Sequence, residues 1–231
     1  MIPLGDNIPS RRFPFVNYLI IGANFLAFFY ELSLGKGLDT FITEWGAVPA
    51  RVTDALSGGE TSPAAFITLI TSMFLHGGWL HILSNMLFLW IFGDNVEDSM
   101  GHIRYTVFYL LAGIAAGLAQ VFVAPDSTAP GIGASGAIAG VLGAYLVMFP
   151  HAQVEVLIPW FLFFPIFKVP ALLMLGIWFL TQFFNGVAAL TIAHTSAGGV
   201  AWWAHIGGFV AGLLLVNLFR QRRRWANHPY I

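Results

Sequence analysis

No cysteine occurs anywhere in these 231 residues. That removes disulfides, thiolate metal sites and a cysteine nucleophile together, so covalent chemistry would have to rest on Ser, Thr, Asp, Lys or His. Charge is nearly as scarce. Only 9% of residues are Asp, Glu, Lys or Arg, against 58% hydrophobic residues and a mean hydropathy of +0.77. A soluble domain carries about 25% charged residues, so this chain cannot cover a water-facing surface. The formal net charge of −1 leaves no basic face for nucleic acid, and nothing in the composition points to disorder. There is no internal repeat and no low-complexity tract. The class that remains is a polytopic membrane protein.

A helix needs roughly 20 apolar residues to cross the hydrocarbon core. Six stretches read as spans: Phe15–Leu32, Trp79–Phe92 (continuing as helix to Ser99), Ile103–Val123, Ala134–Phe149, Val169–Phe184 and Trp202–Phe219. The expected fold is therefore all-α, one bundle of six transmembrane helices over residues 1–231. Arg11-Arg12 ahead of span one resembles the start of a signal peptide. No small-residue cleavage site follows, and Tyr30-Glu31 closes the run, so a retained helix is expected.

Lys and Arg placement sets the orientation. Arg11, Arg12, Arg104 and the cluster Arg220, Arg222, Arg223 and Arg224 share one side if six spans separate the chain ends. The opposite side receives Ser33–Gly78, where Lys36 and Arg51 face Asp39, Glu44, Asp54 and Glu60. It also receives Ala124–Gly133 and Asn185–Ala201, which hold no Lys or Arg. Both termini are expected in the cytoplasm, in an inner (plasma) membrane. The long first outer loop repeats Phe41, Ile42, Trp45, Val48, Val52 and Leu56 at near-helical spacing until Gly58-Gly59. Such a segment is expected to lie half-submerged at the outer interface.

Polar side chains inside spans are expensive and tend to be functional. Span two opens with His81, Ser84 and Asn85, span four with Gly133-Ala134-Ser135-Gly136, and span six with Trp202-Trp203-Ala204-His205. All three spans run inward. Ser135 precedes Phe149 by 14 residues and His205 precedes Arg220 by 15. At about 1.5 Å per residue both lie roughly 21–23 Å above the inner boundary. One-turn spacing puts His81 and Asn85 on one helix face at similar depth. A serine hydroxyl becomes a nucleophile when an imidazole takes its proton, and Ser135 and His205 supply that pair. An oxyanion needs preorganised donors, for which Asn85, His81 and the Ser135 backbone N–H are the candidates. No carboxylate lies in the outer half of these spans, so a dyad is expected, with His205 oriented by packing. Gly136, Gly140 and Gly143 on span four, with Gly133 at its start, and Gly208 and Gly212 on span six, are read as helix-packing residues, small faces that allow close backbone approach. Alone, Gly-Ala-Ser-Gly reads as a packing stripe, and Ala137 breaks the soluble Gly-x-Ser-x-Gly elbow. The shared depth is what argues for a site.

The residues His76-Gly-Gly-Trp-Leu-His81-x-x-x-Asn85, Gly133-Ala-Ser135-Gly136 and Ala204-His205-x-x-Gly208-x-x-x-Gly212 occur in this order on the right spans. In these the chain resembles the rhomboid intramembrane serine proteases, over nearly its whole length. The resemblance implies Ser135 as nucleophile, His205 as general base, and His81 and Asn85 lining the oxyanion site. It implies a membrane-embedded helical hairpin in the first outer loop. It also implies transmembrane proteins as substrates, entering from the lipid bilayer past span five as a mobile gate, where Trp178 and Phe179 are the bulky residues to trim. No cofactor and no metal is expected. Two places depart from patterns seen in the family. Ile67-Thr68 stands where some members carry Trp-Arg, and Ala139 stands where some place an aromatic against the catalytic histidine.

Other functions fit less well. A metal or haem protein would use His76, His81 and His205, but no in-span carboxylate completes such a set. A transporter is expected to show an internal repeat or broken helices at the midplane. An inactive rhomboid-like protein that only binds transmembrane helices would be signalled by loss of Ser135 or His205, and both are present. His102, His151 and His228 near the cytoplasmic ends read as solvated, and His194 in an outer loop carries no assigned role.

Overall fold

A computed structural model describes residues 1–59, 63–158, 163–192 and 200–221. Glu60, His194, Arg222, Arg223, Arg224 and His228 lie outside the described residues. Helices occupy all six apolar stretches: α1 (Phe15–Ser33), then after two short loop helices α2 (Leu38–Trp45) and α3 (Pro49–Leu56) and the single turn α4 (Thr68–Thr71), α5 (Trp79–Met100), α6 (His102–Val123), α7 (Ser135–Met148), α8 (Ala171–Ile192) and α9 (Trp202–Phe219). By length and composition, four are able to cross a membrane: α1, α6, α8 and α9. α5 qualifies only together with the preceding segment Ala64–Phe74, from which it bends by 84°.

α7 is too short to be counted alone, and its packing explains why it need not be longer. Gly136 through Tyr145 are all buried. A helix that is apolar on every side belongs in the middle of a bundle, and α7 is ringed by α5, α6 and α9. Because lipid is as apolar as leucine, burial alone gives little drive for helices to associate, and close contact must supply it. A Cβ on Gly208 would collide with the Gly136 carbonyl oxygen, and one on Gly212 with the Gly140 carbonyl oxygen. On the other flank, Cβ atoms on Gly140 and Gly207 would strike Ala112 and Ala119 of α6. The α7–α9 contact is thus backbone against backbone, and α6 closes on both helices through alanine methyls.

Two expectations change. The fold is predominantly helical but not all-α: β1 (Ile2–Asp6), β2 (Gln153–Leu157) and β3 (Ile166–Pro170) form an antiparallel sheet in the order β1-β2-β3. Val154 and Val156 are fully buried while their neighbours are half-exposed, the period-two pattern of a one-sided strand. Span five also shifts. Val169 and Pro170 belong to β3, and α8 runs on past Asn185-Gly186 to Ile192. Gly186 lies 3.3–3.5 Å, measured from an ideal Cβ, from side chains of Ile206, Trp202 and Trp203, so packing on α9 carries the helix through a weak spot.

The two ends of the bundle have different jobs. At one end meet the N-terminal segment, the α5–α6 junction and the end of α9. Ser10 Oγ donates to Asp94 at 2.8 Å, the Gln221 N–H donates to the Ser99 carbonyl at 3.0 Å, and Tyr145 Oη donates to Asp6 at 2.6 Å. Buried Glu97 accepts the Val16 and Asn17 amides of α1 at 3.0 and 2.7 Å. These are first-turn donors that α1, entered from Pro14, has no side-chain cap to satisfy. His102 Nδ1 pairs with the same carboxylate while its ring stays half-exposed, so the expected solvated position gains a buried partner. At the other end lie the first turns of α5, α7 and α9.

Candidate active site

The segment between α1 and α5 packs against this second end. Ala47 and Gly131 exchange backbone hydrogen bonds of 3.0 and 2.8 Å, and the Gly133 N–H donates to the Ser72 carbonyl at 2.8 Å. Thr71 Oγ1 donates to the Trp45 carbonyl at 2.7 Å. Val52, Ala65 and Leu69 bury against Val121 of α6. The loop is therefore anchored by backbone pairing and an apolar cluster, in a chain that has Ile67-Thr68 at the Trp-Arg place. These bonds hold the segment that leads into Ser135.

Gly133 has φ of +120°, a conformation side chains rarely adopt. An ideal Cβ there would lie 2.7 Å from His81 Nε2 and 3.7 Å from Asn85 Nδ2. Gly133 is not the helix-packing residue expected from the sequence. It precedes the helix, and its missing side chain lets the backbone pass against His81 and Asn85.

Ser135 is the first residue of α7, where backbone N–H groups have no intrahelical acceptor and the helix dipole is positive. Its Oγ lies 2.8 Å from His205 Nε2. His81, Asn85, Ser135 and His205 line one open cavity of about 790 Å³, together with Gly77 and Ser84. Asn85 Nδ2 is buried and has no acceptor among the described residues. The Gly77 N–H donates to His81 Nδ1 at 3.3 Å, which leaves the neutral ring's proton on Nε2, the nitrogen beside Gly133. Ser84 Oγ is turned back to the His81 carbonyl at 3.0 Å. The cavity thus gathers a hydroxyl against an imidazole and three donors: Asn85 Nδ2, His81 Nε2–H and the start of α7.

The fourth helix at the site was missed in the sequence. Gln182 of α8 is buried, and its Oε1 lies 2.8 Å from His205 Nδ1. Span five, expected only as a gate, thus supplies a hydrogen-bond partner for His205, a ring that packing was expected to orient. The signal was a glutamine inside an apolar helix, costly enough to ask what it bonds. Packing does contribute: Trp178 lies 6.0 Å from the His205 ring at 34° and Trp202 meets it edge-on at 6.2 Å. With Ala139 on the central helix, these rings flank His205 from α8 and α9. Phe179 stacks on Phe209 at 4.8 Å. Among the described residues no cluster of three or more His, Asp or Glu could hold a metal ion.

Fold and site together define a class: a predominantly helical integral membrane protein with a serine–imidazole pair facing an open cavity at the first turns of α5, α7 and α9. The chain belongs to the rhomboid family, whose Rhomboid domain matches residues 63–222. It is similar to RHOMBOID-like protein 5 of Arabidopsis thaliana, 30% identical over 165 residues, covering 71% of this chain and 48% of that one. It is 33% identical over 175 residues to Rhomboid protein 1, mitochondrial, of Saccharomyces cerevisiae, covering 68% and 45%. To Rhomboid protease GluP of Bacillus subtilis it is 35% identical over 134 residues, covering 58% and 24%. The chain spans about half the length, or less, of these curated relatives.

Proposed function

We propose that this protein is an intramembrane serine endopeptidase that hydrolyses peptide bonds in or near transmembrane segments of other proteins. The observation that carries the reading is the 2.8 Å contact between Ser135 Oγ and His205 Nε2 at a cavity also lined by Asn85, whose buried Nδ2 has no acceptor among the described residues. Ser135 attacks the scissile carbonyl as His205 Nε2 takes its proton, and the negative charge on the carbonyl oxygen grows against Asn85 Nδ2, His81 Nε2–H and the Ser135 N–H. His205 then gives the proton to the leaving amine. Water, activated by the same nitrogen, releases the acyl group from Ser135. The similarity to Rhomboid protease GluP of Bacillus subtilis supports this reading.

The proposal extends to placement. All six long helices belong in the bilayer, with α7 buried by its neighbours and both termini on the cytoplasmic side, where Arg11, Arg12, Arg104 and Arg220 gather. The cavity then opens outward from a plasma membrane. Substrates enter from the lipid past α8, whose contacts to α9 are side chains rather than close backbone. The direct test is incubation of the purified protein with a generic transmembrane substrate, wild type beside Ser135→Ala and His205→Ala. Both variants should stay folded and lose cleavage, and a fluorophosphonate should label Ser135 alone. Labelling at Ser72 or Ser84, or full activity in Ser135→Ala, would overturn the reading.

A further inference from the structure

We propose that Gln182 is a positioning residue that holds His205 in the tautomer the reaction needs. The inference rests on the serine-protease reading above and adds to it a residue from α8.

A neutral imidazole has one donor and one acceptor nitrogen, and for general-base work the acceptor must face the serine. In soluble triads a carboxylate decides this, because it can only accept. An amide does not decide it by itself. Presenting its NH2 group to the ring would select the wrong tautomer, which in a soluble serine protease costs about 10⁴ in kcat. Here the amide's orientation is settled from behind. Gln182 Nε2 donates to the Trp178 carbonyl at 3.2 Å, one turn earlier in α8. A carbonyl oxygen can only accept, so the amide nitrogen must face it and Oε1 must face the ring. Oε1 can only accept, so His205 Nδ1 carries the hydrogen, at 2.8 Å. Nε2 is then bare and accepts from Ser135 Oγ–H, also at 2.8 Å. Each step leaves the next no choice, and the direction runs from the α8 backbone to the nucleophile. No charge is buried in making it. The relay joins helices held in different ways: Ser135 and His205 sit on α7 and α9, whose backbones touch through glycine, whereas Gln182 sits on α8, which meets α9 through Trp178 and Phe179.

The test compares the purified full chain in detergent with Gln182→Met and Gln182→Glu. Two readouts serve: the rate of fluorophosphonate labelling of Ser135 across pH, and the nitrogen resonances of His205 in protein labelled with 15N-histidine. The wild type should show a protonated Nδ1 and a bare Nε2. Gln182→Met keeps the volume and loses the acceptor. It should mix the tautomers and slow labelling by about 10–100-fold, the range expected for losing one buried hydrogen bond. Gln182→Glu restores an acceptor and adds a charge that favours imidazolium. It should recover labelling at alkaline pH, with the acid limb of the profile moved up by about one unit or more. Equal labelling by wild type and Gln182→Met would overturn the proposal. So would equal losses in both variants with an unmoved acid limb, which would make Gln182 a packing residue. If wild-type Ser135 does not react at all, the protease reading fails instead. The tautomer measurement, which needs no activity, then decides the role of Gln182 by itself.

Discussion

The separation of α7 and α9 sets the Ser135–His205 distance, and Gly208→Ala tests this at the nearest point. Gly208 lies one turn below His205 on α9, and Gly136 follows Ser135 on α7. A methyl carbon at position 208 would overlap the Gly136 carbonyl oxygen and come within 3.0 Å of its carbonyl carbon. Both are backbone atoms at the centre of the bundle, so no flexible side chain can give way. Restoring ordinary van der Waals contact of at least 3.4 Å requires the helices to part by more than 1 Å. That would stretch the 2.8 Å hydrogen bond past about 3.5 Å, where it no longer counts as one. A misplacement of about 1 Å at reacting groups costs about a hundredfold in rate. Overpacking of this kind costs a further 1–3 kcal/mol or so of stability, so rates must be referred to the folded fraction. The assay is initial fluorophosphonate labelling of Ser135 alongside cleavage of a transmembrane substrate. Gly176→Ala is the matched control, since an added Cβ on that glycine of α8 meets nothing within 4 Å. Gly208→Ala should fall by about a hundredfold on both readouts and Gly176→Ala should stay near wild type. A Gly208→Ala protein that labels within a few-fold of wild type would refute the idea that backbone contact sets the catalytic distance.

Three further outcomes are expected. Asn85→Ala should lower kcat by about 10²–10³-fold with little change in KM, because its buried donor acts on charge that develops in the transition state; steady-state kinetics showing the reverse pattern would reassign it to substrate binding. Phe179→Val should speed cleavage of transmembrane substrates while leaving Ser135 labelling by a small reagent nearly unchanged, and equal slowing of both would make Phe179 a support of the fold. Trp178 is a poorer probe of the proposed gate than the sequence indicated, since it also flanks His205. Burial holds the Asp6 carboxyl above its ordinary range despite the bond from Tyr145. The folded form therefore grips this proton more tightly than the unfolded chain, so Asp6 favours folding in acid and loses that contribution as pH rises through its raised value. Asp6→Asn, which keeps an acceptor for Tyr145, should flatten that decline in melting temperatures measured from about pH 4 to pH 8; an unchanged slope would count against it.

The helices and the serine–imidazole pairing were legible in the sequence because both rest on local or repeating signals. Apolar length marks the helices, and equal distance from their far ends puts Ser135 and His205 at one level. Gln182 went unread for a physical reason. Its role depends on which way α8 turns relative to α9, and no periodicity within Ala171–Ile192 encodes that, since the helix is apolar almost throughout. The sheet was missed differently. The Val154 and Val156 alternation is visible, but β1 contains Pro3 and Gly5, poor strand formers, and finds its partner some 150 residues away. The end of α8 was misplaced because Asn185-Gly186 is a sound stop signal overridden by tertiary contact.

The partners of the N-terminal segment have a bearing on assembly. Ile2 pairs with Leu157, and the first amides of α1 are satisfied by Glu97. A ribosome releases these residues in order, so α1 reaches the membrane well before the carboxylate that completes it exists. β1 must wait longer still, until α5 and α7 are in place and β2 has followed them. Contacts between such distant residues carry the largest loop-closure cost and form slowly. Closing of β1 onto β2 is thus a late latch: it engages only on a bundle whose middle has already come together, and a nascent chain with β1 paired is one whose assembly is nearly done.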